Sequence, residues 1–195
     1  TGTLALVGAG EFLDTMSAVD RSLLDRAGGR AVAIVPTASA PDGRAVFDRW
    51  LKQGVDHFNR LGATATGVPA FDRAGCDDEA HAAIVREANL VYFSGGKPDF
   101  LFDTLTDTRL WAAVEQVLDR GGVVAGCSAG AMIMGGHVPD FGSRFGVPSV
   151  TRWQPAFGLI PNSIIVPHYN EFPEVMVNLM FGRRPAGTFL IGVDA

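Results

Sequence analysis

The stretch that most constrains the fold is residues 121–134, GGVVAGCSAGAMIM. It begins with a short apolar run of the kind found in parallel sheets that are covered on both faces. Residues 126–130 (GCSAG) then match G-x-S-x-G, a strand-to-helix turn that holds its serine in a strained, exposed conformation. Gly126 and Gly130 leave room for the turn, where larger side chains would collide. The sequence therefore predicts a strand–turn–helix unit with Ser128 at its corner.

A match to G-x-S-x-G is a weak signal alone, because a glycine-rich turn can contain a serine by chance. Here the strand signal before it and the helix signal after it supply the structural context that the motif requires. At a helix N-terminus, Ser128 also has free backbone N–H groups and the positive end of the helix dipole beside it. Because both stabilise a developing oxyanion, the stretch favours Ser128 as a nucleophile.

The rest of the chain alternates between strand and helix signals. Strands are predicted at residues 3–7, 31–35, 63–68, 90–93, 123–125, 164–167 and 188–193. Helices are predicted at residues 14–27, around 47–61, after the acidic pair at 77–78, and at 100–105, 109–118 and 172–181. Such alternation produces a mostly parallel, doubly wound sheet with helices on both faces. We therefore predict a three-layer α/β/α fold, as a single domain over residues 1–195.

One long stretch breaks this alternation. Residues 135–162 are rich in glycine, proline and aromatic residues, and they show little hydrophobic periodicity. Irregular segments of this length inside a domain are usually functional loops, so a functional loop is predicted here.

Composition excludes several classes of function. The net charge is −5 and no run of lysine and arginine is present, so nucleic acid is not expected as a partner. No segment approaches the length needed to cross a membrane, and no signal peptide is visible. The two cysteines, Cys76 and Cys127, form neither a metal-binding spacing nor a disulfide framework. These features predict a metal-free protein of the reducing cytoplasm.

Several chemically suggestive residues follow the predicted strands. Parallel sheets bind ligands beyond the carboxyl ends of their strands, so residues at these ends meet in space. The residues in question are Gly95, Gly96, Lys97, Ser128, His168 and Asp194. Other candidates favour structural roles: residues 8–10 (GAG) lack the third glycine of a dinucleotide fingerprint, and His57 and His81 are expected at the surface.

Taken together and in order, these motifs resemble the dipeptidase E and cyanophycinase family of serine peptidases, whose fold is similar to class I glutamine amidotransferase domains. The resemblance covers nearly the whole chain and rests on residues 7–12, 35–39, 92–96, 126–131 and 166–169. It implies that Ser128 is the nucleophile, that His168 is the general base, and that the backbone N–H groups of Gly96 and Ala129 form the oxyanion hole. It also implies a cofactor-free enzyme, commonly a homodimer.

The resemblance further implies substrates with an aspartyl residue at the cleaved bond, either α-aspartyl dipeptides or β-aspartyl-arginine polymers. Two departures from the family pattern bear on this. Ala195 stands where much of the family has a glutamate after the last strand. Residues 171–175 (EFPEV) replace the arginine-rich run that follows the histidine in cyanophycinases. The second departure disfavours cyanophycin cleavage, and the first leaves the third member of a catalytic triad open.

Three carboxylates are candidates to orient His168. Glu171 ranks last, because both side chains would have to fold back across one short turn. Asp194 ends the final strand, but strand alternation turns it to the opposite face if the family's glutamate aligns with Ala195. Asp140 lies between Ser128 and His168 in the chain, which is the order Ser–Asp–His of other hydrolases with a G-x-S-x-G turn. It also resembles the third triad member assigned in dipeptidase E. We therefore predict Asp140, with a Ser–His dyad as the alternative.

Positive side chains bear on specificity. Lys97 follows the double glycine and, with Gly95, is predicted to bind substrate, although an ordinary exposed lysine explains it equally well. The arginines that could clamp a carboxylate are Arg144, Arg152, Arg183 and Arg184. The sequence thus predicts a serine dipeptidase acting on small acidic peptides with an N-terminal aspartate. The alternative is a catalytically weak or silent relative that uses the same pocket to bind a small ligand or a partner.

Overall fold

The computed structural model describes residues 2–144 and 147–195. Within these ranges it describes the side chains of all residues except 141–149 and 151. Five strands form an all-parallel sheet: β1 (Thr3–Val7), β2 (Ala31–Val35), β3 (Thr64–Gly67), β4 (Leu90–Phe93) and β5 (Val123–Cys127). Their order is β1-β5-β4-β2-β3, which places β5 between β1 and β4. Because the strands are parallel, the loops that follow β1, β4 and β5 all lie at one edge of the sheet.

Helices connect and cover these strands. They are α1 (Ser17–Arg26), α2 (Arg44–Arg60), α3 (Arg73–Cys76), α4 (Glu79–Glu87), α5 (Pro98–Leu105), α6 (Arg109–Asp119), α7 (Ala129–Met132) and α8 (Glu174–Phe181). The start of α4 shows how the sequence sets such a boundary. The Asp78 carboxylate accepts the backbone N–H groups of Ala80 and His81 at 2.8 and 3.2 Å. These two hydrogen bonds lower the pKa of Asp78.

Alternate side chains of the sheet fill two separate cores, because successive residues of a strand point to opposite faces. One core combines α1 and α2 with Val32, Ile34, Leu90, Tyr92, Val123 and Ala125. The other combines α4, α5 and α6 with Ala33, Val35, Val91, Phe93 and Val124. The predicted three-layer α/β/α fold with a mostly parallel sheet is therefore confirmed.

The prediction of an irregular loop over residues 135–162 is wrong for most of that stretch. The strands β6 (His137–Arg144) and β7 (Val147–Pro155) pair antiparallel as a hairpin, with a register shift between Asp140 and Phe141. Both strands contain proline, a residue depleted in strands and confined to edges and bulges, and the register shift breaks the alternation. Because of these features, the two strands lack the alternating hydrophobic pattern by which a strand is predicted.

The last two strands also differ from expectation, because they do not join the main sheet. The strands β8 (Ser163–Val166) and β9 (Phe189–Gly192) form a separate parallel pair. Their apolar side chains pack with α8 in a small third core that includes Ile164, Val166, Val177 and Phe181. Within the described ranges, no helix is both long and apolar enough to cross a membrane.

The prediction that His57 lies at the surface is wrong, and His81, which is predicted there too, is half-buried. His57 is 1% exposed, and its Nε2 lies 2.8 Å from Oδ2 of the fully buried Asp20. Burial raises the pKa of Asp20. His81 is half-buried, and its Nδ1 lies 2.8 Å from the carbonyl oxygen of Gly75. The two histidines thus have structural partners that a local sequence pattern does not reveal.

Candidate active site

Ser128 lies at the corner between β5 and α7, in a conformation that few non-glycine residues adopt. Its φ is +49° and its ψ is −110°. Its backbone N–H donates to the carbonyl oxygen of Val7 at 3.0 Å, and its carbonyl oxygen accepts from Ala131 and Met132 at 3.0 Å each. The surrounding structure therefore holds a strained residue in place, as is common at functional sites.

The glycines on either side of Ser128 make this corner sterically possible. A Cβ added at Gly126 would lie 2.2 Å from the carbonyl oxygen of Gly130, and one added at Gly130 would lie 2.6 Å from the carbonyl oxygen of Phe93. Both contacts are with backbone atoms, which cannot rotate away. Because α7 has four residues, its individual N–H groups matter more than a long helix dipole.

The loop after β4 approaches Ser128 from the neighbouring strand. Gly96 has a φ of +149°, and a Cβ there would lie 2.2 Å from the carbonyl oxygen of Ala38. The preceding Gly95 lies against the nucleophile, since its own Cβ would be 3.3 Å from Cβ of Ser128. In the described part of the chain, the backbone N–H groups of Gly96 and Ala129 donate to no other group. Both are available to an incoming oxyanion.

His168 follows β8, and its conformation brings Glu171 back towards it. The residue has a φ of +54°, in the left-handed region, and a turn over Tyr169–Glu171 follows. The backbone N–H of Glu171 donates to the carbonyl oxygen of His168 at 2.9 Å. Nδ1 of His168 then lies 3.3 Å from Oε2 of Glu171, with the two side chains 33% and 58% exposed. Glu171 is therefore placed to orient the imidazole.

The prediction that Asp140 orients His168 disagrees with these positions. Asp140 lies in β6 opposite Arg152, and its Oδ2 is 3.5 Å from Nη2 of that arginine. The sequence predicts Asp140 in a loop that could reach the histidine. In the structure Asp140 lies in a hairpin strand, where its cross-strand partner is Arg152. Among the described side chains, Glu171 provides the one carboxylate within 4.0 Å of a His168 nitrogen.

Asp194 was the other alternative, and its backbone has a packing role. Its carbonyl oxygen would lie 2.1 Å from a Cβ at Gly8, so this glycine allows the end of the chain to pass close to the turn after β1. The following residue, Ala195, donates its backbone N–H to Oδ1 of Asn170 at 2.8 Å. These contacts fix the segment after β9 against the histidine turn.

Ser128 and His168 line two adjoining cavities of different character. The first, which we call the apolar cavity, has a volume of about 620 Å³ and is lined by Lys97, Met132, Val166, Pro167, Phe172, Met180 and Phe181, among others. The second, the polar cavity, has a volume of about 270 Å³ and is lined by Glu11, Ser39, Asp42, Trp50, Gly95 and Gly96. Between the described Ser128 and His168 side chains no hydrogen bond is formed, as is frequent before a substrate binds.

The predicted carboxylate-binding cations are placed unevenly around these cavities. Lys97 is exposed and lines the apolar cavity. Arg152 pairs with Asp140, while the guanidinium of Arg184 donates to the carbonyl oxygens of Phe181 and Thr188. Arg183 is exposed and lines neither cavity. The side chain of Arg144 lies outside the described residues.

Glu11 is the residue at this site that the sequence did not single out. Its Oε1 accepts the backbone N–H of Gly95 at 2.9 Å, and its Oε2 accepts the Cys127 thiol at 3.0 Å. The available signal is its position in the turn that follows β1, after residues 8–10 (GAG), at the same sheet edge as Ser128. Cys127 is fully buried; its burial, and to a smaller extent the Glu11 charge, raises the pKa of its thiol.

A family model described as "Peptidase family S51" matches residues 4–192. Among curated proteins, a cyanophycinase of Geminocystis herdmanii is 31% identical over 144 residues, covering 72% of this chain and 51% of the relative. A cyanophycinase of Trichormus variabilis is 28% identical over 158 residues, covering 77% of this chain and 51% of the relative. The chain thus spans about half the length of these curated relatives.

Two solved structures show the same architecture. A peptidase from an acI-B1 actinobacterium superimposes with a TM-score of 0.86 and 33% identity, covering 99% of this chain and 80% of that one. A Listeria monocytogenes structure named for peptidase E superimposes with a TM-score of 0.67 and 18% identity, covering 97% and 90% of the two chains. The second likeness concerns the fold alone.

Proposed function

The chain belongs to peptidase family S51, and from this premise we propose that it is a serine peptidase that hydrolyses short peptides with an N-terminal aspartate. The observation that carries the proposal is the strained Ser128, which shares both cavities with His168. Beside it lie the backbone N–H groups of Gly96 and Ala129, which donate to no other group among the residues that the structure describes. This combination supplies a nucleophile, a base and oxyanion donors.

The proposed reaction proceeds through an acyl-enzyme. Oγ of Ser128 attacks the scissile carbonyl carbon while His168 takes its proton, and the oxyanion accepts hydrogen bonds from Gly96 and Ala129. The tetrahedral intermediate collapses, the C–N bond breaks, and His168 returns the proton to the leaving amine. Water then attacks the ester by the same route and releases Ser128. Glu171, through Nδ1 of His168, stabilises the imidazolium form at each stage.

We further propose that Lys97 reads a substrate carboxylate at the mouth of the apolar cavity. The acid Asp99 also lines this cavity; the rest of the lining is mostly apolar and suits an aliphatic second residue, because burying that side chain removes its apolar surface from water. A site that pairs a carboxylate rejects the neutral analogue strongly when its own charge is left unpaired. Asp-Leu should therefore be cleaved faster than Asn-Leu, and Lys97→Met should reduce the difference.

A second candidate substrate class is favoured by the polar cavity. Its charged lining side chains are the acids Glu11 and Asp42, which would attract a cation rather than a carboxylate. The curated relatives are named cyanophycinases, so a β-aspartyl-arginine dipeptide is the matched alternative. Measuring kcat/KM for Asp-Leu, Asn-Leu and β-Asp-Arg side by side separates the two. A preference for β-Asp-Arg that Asp42→Asn removes would favour this second class.

The nucleophile is tested by covalent labelling with a serine-directed fluorophosphonate, followed by mass spectrometry of the intact chain and its peptides. We expect one adduct on Ser128, and we expect Ser128→Ala to lose both the adduct and hydrolysis. Ser22→Ala, an exposed serine on α1, is the matched control and should keep both. Labelling that persists in Ser128→Ala would refute the assignment. An unlabelled wild-type chain that still binds Asp-Leu calorimetrically would favour the non-catalytic binding module.

We also propose that the enzyme assembles as a homodimer, as the family resemblance implies. Sedimentation velocity over a hundredfold range of protein concentration tests this. A single species at twice the chain mass of 20.6 kDa is the expected result, and a monomer at every concentration would refute it.

A further inference from the structure

The Glu11 carboxylate bridges the two segments that carry the proposed reacting groups. Oε1 holds the N–H of Gly95, the residue before the oxyanion donor Gly96. Oε2 holds the thiol of Cys127, the residue before the nucleophile Ser128. The two contacts join positions 84 and 116 residues away along the chain. One side chain from the turn after β1 thus ties the loop after β4 to the turn after β5.

We propose that Glu11 is a positioning residue that sets the separation between the Gly96 N–H and the Ser128 hydroxyl. This inference rests on the proposed function, because it assigns Glu11 a role in the same reaction. By holding Gly95, the carboxylate fixes the direction in which the next peptide unit presents its N–H. An oxyanion donor stabilises the transition state only when it points to the place where the negative charge develops.

The space around Glu11 shows how closely this loop is held. A Cβ at Gly95 would lie 2.9 Å from Oε1 of Glu11 and 3.3 Å from Cβ of Ser128. The Gly95 backbone therefore occupies the gap between the carboxylate and the nucleophile, and glycine alone fits there without displacing one of them. A small shift of the carboxylate would be passed directly to the oxyanion donor.

A carboxylate suits this position because it offers two acceptor oxygens and no donor. Both partners, an N–H and a thiol, are donors, and hydrogen bonds to a charged acceptor are stronger than neutral ones. The raised pKa of Cys127 is consistent with this, since the thiol keeps the proton that it donates. A glutamine at position 11 would keep one acceptor and turn a donor towards the other partner.

Glu11 is not expected to transfer a proton in the reaction, because both of its oxygens are occupied by structural donors. A purely positioning role predicts a specific kinetic signature. An interaction realised mainly in the transition state lowers kcat and kcat/KM equally and leaves KM unchanged. A loss of substrate binding would raise KM instead, and a loss of folding would lower the fraction of active enzyme without changing either constant per active site.

The experiment compares Glu11→Gln and Glu11→Ala with wild type, and its control is Glu79→Gln, a change of an exposed glutamate that pairs with Arg86 on α4. Active sites are counted by fluorophosphonate burst titration, and kcat and KM are measured with Asp-Leu between pH 6 and 9. We expect kcat to fall about tenfold in Glu11→Gln and about a hundredfold in Glu11→Ala, with KM within about threefold of wild type. The shape of the pH profile should not move, and the rate of labelling at Ser128 should fall in parallel.

An active-site-normalised kcat of wild-type size in Glu11→Gln would overturn the inference, as would a change confined to KM. If Glu11→Ala does not fold, Glu11→Gln still decides the question, because glutamine preserves the size and one acceptor of the side chain. Failure of the proposed function is distinguishable: a wild-type chain that is neither labelled nor hydrolytic overturns both. A labelled wild type with Glu11 variants labelled at the same rate overturns this inference alone.

Discussion

Ser128 and His168 come from regions of the molecule that are built differently. Ser128 follows β5, a fully buried strand inside a five-stranded sheet with helices on both faces. His168 follows β8, which is buried as well but belongs to a two-stranded sheet whose other strand, β9, is half-buried and exposes 49% of Phe189. We call these the nucleophile region, around β1, β4 and β5, and the base region, β8 with β9 and α8.

The two regions also differ in how their key residues are held. The turn at Ser128 is held by close backbone approaches, within the turn at Gly126 and against Phe93 of β4 at Gly130. The His168 turn is completed by Glu171, which is 58% exposed, and by a small core. Because close-packed interiors resist displacement, the nucleophile is fixed by the fold, whereas the position of the base depends on a small peripheral unit. Phe172, Met180 and Phe181 of that unit also line the apolar cavity, so the base region forms part of its wall.

The largest expected contrast comes from adding one methyl group to each region. Gly126→Ala sets a Cβ 2.2 Å from a backbone oxygen, and it should cost at least about 3 kcal/mol of unfolding free energy. Gly192→Ala places its Cβ 2.6 Å from the ring of Tyr169, which is 38% exposed and can turn outward, so about 1 kcal/mol is expected. Urea denaturation measures both. Equal losses would show that the two regions are equally rigid.

The same contrast explains what could be predicted from the sequence. In the main sheet, short apolar runs predict the bounds of β1, β2 and β4 as the structure has them. Contacts between distant segments were not predictable, because no local pattern encodes them. Glu11 meets Gly95 and Cys127 across 84 and 116 residues, and His57 meets Asp20 across 37.

The structure brings Glu171, the carboxylate that the sequence ranks last, beside His168, and the reason is local. Glu171 reaches His168 because His168 itself is in the left-handed region. Histidine adopts this conformation more readily than most residues, but sequence spacing does not predict it. The hairpin that carries Asp140 was hidden by its prolines and its register shift. In both cases the backbone conformation, more than the residue types, decided which side chains meet.

The second prediction tests the base region directly by neutralising each candidate carboxylate. Glu171→Gln should lower kcat/KM about tenfold, less than the roughly 10⁴-fold loss for a buried triad aspartate, because solvent screens an exposed carboxylate. Asp140→Asn and Asp194→Asn should stay within about threefold of wild type, because the structure places neither carboxylate on a His168 nitrogen. Steady-state kinetics at the optimum pH decide. A larger loss in Asp140→Asn would restore that residue as the orienting acid.

The third prediction uses the two buried thiols, both of which lie in the layers around the main sheet. Burial raises the pKa of Cys76 to about 12, and it raises that of Cys127 as well, from an ordinary value of 9.0. Above pH 9 the unfolded chain loses thiol protons that the folded chain retains, so stability falls as pH rises. Each thiol should cost about 1 kcal/mol between pH 9 and 10.

Unfolding free energies of wild type and Cys76→Ala at pH 8, 9 and 10 measure this alkaline loss. The variant is less stable overall because it lacks a buried side chain, but its loss between pH 9 and 10 should be smaller by about 1 kcal/mol. Iodoacetamide at pH 8 should modify neither thiol in the folded chain. Identical slopes for the two proteins, or rapid alkylation of the native state, would contradict the burial of Cys76.

The smallest effect is expected on the outer face of α8, in the base region. Along this helix Val177 and Phe181 are buried, whereas Val175 and Leu179 are 78% and 76% exposed. Replacing Leu179 by glutamine removes little buried apolar surface, so the unfolding free energy should change by less than about 0.5 kcal/mol. Val177→Ala, the matched change on the inner face, should cost about 1 kcal/mol or more.

The Leu179→Gln comparison also bears on the proposed homodimer, because an apolar face this exposed is where a second chain would contribute most. If α8 is free in solution, the effect of Leu179→Gln is small and does not vary with protein concentration. If another copy covers the face, the loss exceeds about 1 kcal/mol and grows with concentration, since association stabilises the folded chain by mass action. Denaturation at two concentrations a hundredfold apart separates these outcomes. A concentration-dependent loss would mean that the base region takes part of its rigidity from a partner chain, and that its difference from the nucleophile region is a property of the monomer alone.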